Sequence, residues 1–182
     1  MSRRILTGIT TTGIPHIGNY FGAIKPALQL SSEKNVSSYF FLADLHAIIK
    51  QTNPNEIKVS VNEVALAWLS SGLDPEKSFF YRQSNIPEIT ELAWILSCVT
   101  AKGLINRSHA YKAAVQLNHD HTKDEDKGIS MGLFSYPVLM AADILMFNSS
   151  HVPVGKDQLQ HLEITRDIAE KFNHQYGKAF VI

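Results

Sequence analysis

The sequence predicts an α/β fold in which a parallel sheet carries helices on both faces. Three observations predict it. Short apolar or aromatic runs at residues 5–8, 38–42 and 78–81 have strand length and end at glycine or polar turns. Longer segments with apolar residues at helical spacing alternate with them. The chain has 182 residues, 45% of them hydrophobic, which is material for one domain with a substantial core.

The elements follow in order. Ile5, Leu6 and Thr7 run into Gly8 as a short buried strand, and Thr10-Thr11-Thr12-Gly13-Ile14-Pro15 breaks both periodicities and is a loop. Ile17, Tyr20, Phe21, Ile24 and Leu28 recur at helical spacing, so residues 17–30 form a helix with a kink at Pro26. After the strand at 38–42, Asn53-Pro54 opens a helix that runs through Val61, Val64 and Trp68 to Gly72. The strand at 78–81 leads into a helix containing Leu92, Ile95 and Leu96. Residues 118–129 are almost entirely polar and predict a mobile loop. A helix follows at 136–147, then a short strand and turn at 151–155, and a last helix at 157–176 closed by Gly177. Residues 179–182 read as the start of another strand.

Composition excludes several classes. Lysine plus arginine and aspartate plus glutamate number 17 each, so no global field draws the chain to nucleic acid or membrane. Cys98 is the single cysteine, which rules out an internal disulfide and a cysteine-rich zinc site. The apolar stretch after Met1-Ser2-Arg3-Arg4 is too short for a secretory signal, and the longest apolar run, 136–147, contains Asp143 and is too short to span a bilayer. The expected location is the cytoplasm.

The first chemical site lies between strand one and helix one, at Gly8-Ile9-Thr10-Thr11-Thr12-Gly13-Ile14-Pro15-His16-Ile17-Gly18-Asn19. A strand, a glycine-bearing loop and a helix start leave backbone N–H groups and a dipole that favour an anion. His16 and Asn19 share one face of the first turn, placed to donate to a phosphate whose charge grows during displacement. Gly18 leaves room for a flat base or ribose. A turn whose glycines merely permit tight packing is the competing reading. The pattern is neither a P-loop nor the dinucleotide fingerprint.

These residues carry a resemblance. Pro15-His16-Ile17-Gly18-Asn19 resembles the HIGH signature of class I aminoacyl-tRNA synthetases, with Asn19 in the last place, as is common in the tryptophanyl branch. Gly18-Asn19-Tyr20-Phe21-Gly22-Ala23, Asp44-Leu45-His46-Ala47-Ile48, Tyr136-Pro137-Val138-Leu139-Met140-Ala141-Ala142-Asp143-Ile144-Leu145 and Val152-Pro153-Val154-Gly155-Lys156-Asp157-Gln158-Leu159-Gln160-His161 are similar to that bacterial branch in order and spacing. Thr10-Thr11-Thr12 stands where the family often has Gln-Pro-Ser, and Lys156 where an acidic residue is frequent. The resemblance implies a Rossmann-like, doubly wound catalytic domain. Residues 1–182 would form part of it, without the Lys-Met-Ser-Lys-Ser-type segment and the C-terminal helical domain of the family.

The second site concerns an amino acid. Tyr136, Met140, Asp143 and Phe147 fall on one helical stripe. Asp143 is then a carboxylate on an apolar face and needs a donor. An indole N–H supplies one, and Met140 is a polarizable neighbour for a flat ring. A backbone N–H or an arginine is the commoner partner for such a carboxylate on chemistry alone. The resemblance favours the indole, and it implies that Leu6, His46, Tyr136, Val152, Val154 and Gln158 also meet tryptophan. Val152 and Val154 also suit plain strand core. By the same resemblance Thr10, Thr11, Thr12, Gly18, Asn19, Gly155, Lys156 and Asp157 bind ATP, although Asp157 at a helix start is also an ordinary cap. Lys112 joins His16 and Asn19 near the phosphates, while a solvated basic face with Lys102 and Arg107 is the simpler meaning of that lysine.

The activity implied is ATP-dependent formation of tryptophanyl-adenylate and transfer of the acyl group to tRNA(Trp). Mg²⁺ would accompany ATP without a dedicated protein site. A homodimer and the absence of any membrane partner complete the expectation. The alternatives are the tyrosyl branch, an HxGH-type nucleotidyltransferase and a non-catalytic nucleotide-binding fragment.

Overall fold

The computed structural model describes residues 3–182, which divide into two compact units. The first comprises residues 3–87 with Phe147–Lys156, and the second Glu88–Met146 with Asp157–Ile182.

The first unit is built on three parallel strands, β1 (Arg3–Thr10), β2 (Val36–Ala43) and β3 (Phe79–Arg82), in that spatial order. The pleat sorts the aromatics of β2 onto opposite faces. Phe40 stacks on Trp68 with ring centroids 4.8 Å apart. Tyr39 and Phe41 point the other way, against Phe79 at 4.7 Å and Tyr81 at 5.6 Å. Phe147 closes on that second face, 5.0 Å from Tyr39 and 5.4 Å from Tyr81. The face bearing Phe40 and Leu42 is covered by Ile24 from the turn Tyr20–Ile24, Ala27 from α2 (Lys25–Ser31), and Val61, Val64 and Trp68 from α4 (Pro54–Ser70). Gly8 is required at its place in β1. A Cβ there would lie 2.3 Å from the Phe41 ring, which crosses β1 at the paired position.

Two local findings depart from the sequence reading. The expected single helix at 17–30 is three pieces: α1 (Ile17–Asn19), a π-helical turn (Tyr20–Ile24) and α2. The Lys25 N–H bonds to the Tyr20 carbonyl, so the widened turn immediately precedes Pro26. A proline ring clashes with the carbonyl four residues back in an α-helix, and widening the preceding turn relieves that clash. The expected strand at 151–155 is a single parallel bridge between Ile5 and His151. Leu6 N–H donates to the His151 carbonyl at 3.0 Å and His151 N–H to the Arg4 carbonyl at 3.1 Å. Pro153 has no N–H to continue the ladder.

That bridge matters for function. β2 and β3 lie to one side of β1, and the His151 segment lies on the other. The strand order therefore reverses at β1, the position where open α/β sheets hold ligands beyond the carboxyl ends of their strands. Thr10, Thr11 and Thr12 mark that end of β1, and the chain at His151 pairs with β1 in the parallel sense.

The second unit is helical: α5 (Pro87–Val99), α6 (Lys102–Ile105), α7 (His109–Asp120), α8 (Met131–Met146) and α9 (Leu159–Tyr176). On α9 the buried residues His161, Ile164, Thr165, Ile168 and Ala169 form one stripe at helical spacing. α8 begins five residues before the expected start and accommodates Pro137 internally. It ends at Met146, so Phe147 leaves the expected helical stripe and packs in the sheet unit instead. The expected loop at 118–129 begins only after α7 ends at Asp120. It is tied down by polar contacts that composition does not reveal. Asn118 Nδ2 donates to the carbonyls of Glu125 and Lys127, both at 2.9 Å, and Tyr111 Oη donates to Asp126 at 2.9 Å. Residues 179–182 form no strand. The N–H groups of Ala179 and Phe180 cap onto Asn173 Oδ1, and Phe180 rests 5.1 Å from Phe172. Gly177 closes α9 at φ 90°, as its position predicts. No described helix is long and apolar enough to cross a membrane.

Candidate active site

The helix entrance at His16 is organised by its own side chains. Gly18 N–H donates to His16 Nδ1 at 3.0 Å, and His16 N–H donates to Asn19 Oδ1 at 2.9 Å. This is a capping box in which a histidine and an asparagine replace the usual hydroxyl and glutamate. Its consequence is chemical. With Nδ1 accepting, a neutral imidazole carries its proton on Nε2, and with Oδ1 accepting, Asn19 turns its NH₂ outward. Both side chains therefore present donors. Gly18 serves the same arrangement, because a Cβ there would meet the His16 ring at 2.8 Å.

The first unit also holds other residues of the expected site. Thr10 and Thr12 are exposed at the end of β1, and Thr11 is buried with a hydroxyl that has no hydrogen-bond partner among the described residues. Leu6 lies inside β1, paired with Tyr39. Val152 and Val154 are half-buried, whereas Gly155 and Lys156 are exposed. His46 is half-buried on α3 (Asp44–Ala47), the single turn that follows β2.

The second unit holds the others. Asp143 is 1% exposed on α8, with Tyr136 and Met140 half-buried on the same helix. Tyr136 Oη lies 2.8 Å from His161 Nε2 on α9, and burial raises the Tyr136 phenol above its ordinary range. Lys112 is exposed in the first turn of α7. Asp157 belongs to a 3₁₀ turn (Lys156–Gln158) rather than to the cap of α9, which begins at Leu159. Its carboxylate accepts from Gln158 Nε2 at 2.7 Å, and that hydrogen bond holds it below the usual carboxylate range.

Two groups escaped the sequence reading. One is His161, whose only signal was a histidine on the apolar stripe of α9. The other is a cluster at the end of β2 and β3, where Asp44 accepts from Arg82 Nε at 2.5 Å and from Ser84 N–H at 3.0 Å. Nothing local reveals that cluster, because its members are 38 and 40 residues apart.

A parallel sheet whose order reverses at β1, with a donor-presenting helix entrance beside the reversal, is a layout that several α/β families share. The comparisons specify which. Residues 2–182 match the family described as tRNA synthetases class I (W and Y), and the chain belongs to that family. It is 61% identical over all 182 residues to a tryptophan–tRNA ligase of Bordetella pertussis, and spans 40% of that relative's length. The fold superposes on the tryptophanyl-tRNA synthetase of Campylobacter jejuni, solved with ADP and tryptophan, at a TM-score of 0.86 and 47% identity. That likeness covers 98% of this chain and 53% of the other. The tyrosyl-tRNA synthetase of Archaeoglobus fulgidus shares the fold at a TM-score of 0.75 and 18% identity, over 94% of this chain and 52% of that one.

Proposed function

We propose that the full-length protein carrying this chain is a tryptophan–tRNA ligase. It activates L-tryptophan with ATP and transfers the product to tRNA(Trp). The observation that carries the reading is the 61% identity to such a ligase across the whole chain. A carboxylate oxygen of tryptophan attacks the α-phosphorus of ATP, the bond from that phosphorus to the bridging oxygen breaks, and pyrophosphate leaves. A terminal ribose hydroxyl of the tRNA then attacks the acyl carbon, releasing AMP and a proton. ATP enters as its Mg²⁺ salt, with the ion carried on the phosphates.

In this reading no side chain acts as a nucleophile, and the protein contributes position and charge. His16 Nε2–H and the Asn19 amide donate to the phosphate as charge develops, and Lys112 adds a positive charge. Thr10, Thr11, Thr12, Gly18, Gly155, Lys156 and Asp157 hold the nucleotide. Asp143 accepts the indole N–H, and Leu6, His46, Tyr136, Met140, Val152, Val154 and Gln158 surround the amino acid. Residues 1–182 are part of the catalytic domain, and the protein works in the cytoplasm as a homodimer. The test is charging of unfractionated tRNA by the full-length protein with labelled tryptophan or labelled tyrosine. Label reaching acid-precipitable tRNA from tryptophan alone is the expected result. Charging with tyrosine, or with neither, refutes the reading.

A further inference from the structure

The corner between β2 and α3 is fastened to the end of β3 by side chains that the reaction itself does not use. Gln83 is fully buried, and its Oε1 accepts the Leu45 N–H at 3.1 Å. Asp44, 3% exposed, takes the Arg82 Nε–H on Oδ2 and the Ser84 N–H on Oδ1. Burying an amide and a carboxylate is costly unless each is hydrogen-bonded, so both side chains are committed to these partners. The two anchored residues, Asp44 and Leu45, are the first two of the four in α3, and Ala43 before them supplies no side-chain cap. The orientation of this short helix is therefore set by Arg82 at the end of β3 and by the 3₁₀ turn (Gln83–Asn85) that follows it. His46 is the third residue of the same turn.

We propose that Gln83, together with the Asp44–Arg82 pair, positions His46 and so sets affinity for the amino acid rather than the rate of phosphate chemistry. This rests on the reading that His46 meets tryptophan. The two groups assigned to phosphate in this unit, His16 and Asn19, stand at the entrance of α1 and not on α3, so the fastening acts on His46 first. A fully buried amide whose oxygen takes the N–H of the residue before His46 would be an expensive way to fill space alone.

The experiment is tryptophan-dependent ATP–pyrophosphate exchange by the full-length protein. Gln83→Met keeps the volume and leaves the Leu45 N–H without its acceptor. Arg82→Ala, at a side chain 46% exposed, removes the charged partner of the buried Asp44 carboxylate while Ser84 still donates to it. Gln83→Met should raise KM for tryptophan by about tenfold, and Arg82→Ala by about threefold, with KM for ATP and kcat within about twofold of the parent. An unchanged KM for tryptophan in Arg82→Ala and in folded Gln83→Met, whatever the fall in melting temperature, would overturn the proposal and leave the corner a structural fastening. Equal rises in both KM values, or a fall in kcat alone, would also overturn it. If the parent protein shows no exchange with tryptophan, the functional reading fails and this inference fails with it.

Discussion

The Gly18 N–H fixes the His16 ring and the His16 N–H fixes the Asn19 amide, so that each side chain offers a hydrogen-bond donor. Replacing His16 with alanine in the full-length protein should lower kcat for adenylate formation by roughly 10²-fold, the scale of one lost oxyanion-type donor, with KM for ATP nearly unchanged. Gly18→Ala should lower kcat similarly, although its own side chain does no chemistry, because the new Cβ displaces the His16 ring. If Gly18→Ala turns over at the parental rate, the ring's position is not what matters. Asp143, buried on α8, is the residue proposed to select the amino acid. Asp143→Ala should lose about 2–3 kcal/mol of preference for tryptophan over its benzothiophene analogue, since a charged hydrogen bond to the indole N–H disappears. Equal losses on both substrates would make Asp143 structural. The chemical types of these residues were legible in the sequence. Their mutual capping was not, because histidine and asparagine are unusual occupants of a capping box.

At the scale of elements, the strands and long helices were legible and the polar fastenings between them were not. The short apolar run that marks β2 in the sequence is a direct consequence of burial on both faces, since Phe40, Phe41, Leu42 and Ala43 are all buried. α8 was read five residues short because Pro137 and Gly132 argue locally against a helix that packing nonetheless sustains. The loop at 121–129 looked free because it has little to bury, yet Asn118 holds it through two carbonyls. Asn118→Ala should speed amide exchange at Lys127 and Ile129, whose N–H groups are bonded within that loop. Unchanged protection there would mean that the loop holds its shape alone. Asp44 gives a pH-dependent case. Burial pushes its pKa up, but hydrogen bonds from Ser84 and Arg82 outweigh burial and hold it below the usual carboxylate range. A lowered folded-state pKa means stabilisation that is complete above the unfolded value, about 3.9, and lost as pH falls through the folded value. Urea titrations from pH 6 to pH 3 should show the parent losing more stability than Asp44→Asn, with the two curves converging in acid. Parallel curves would remove Asp44 from the acid response.

For the whole molecule, the 61% identity places a tryptophan enzyme within reach, while the chain spans 40% of that relative's length. No Lys-Met-Ser-Lys-Ser-like segment occurs in these 182 residues. Residues 1–182 expressed alone should therefore charge tRNA at less than about a tenth of the full-length rate, a difference of at least about 1.4 kcal/mol in the barrier. A rate closer to the full-length value would show that the site needs nothing more. Substrate choice is tested most directly by ATP–pyrophosphate exchange on the full-length protein with each of the twenty amino acids in turn, beside the His16→Ala and Asp143→Ala variants. Exchange should depend on tryptophan, stay at background with tyrosine and the rest, and fall in both variants. Exchange driven by tyrosine, exchange without any amino acid, or full activity in both variants would contradict it.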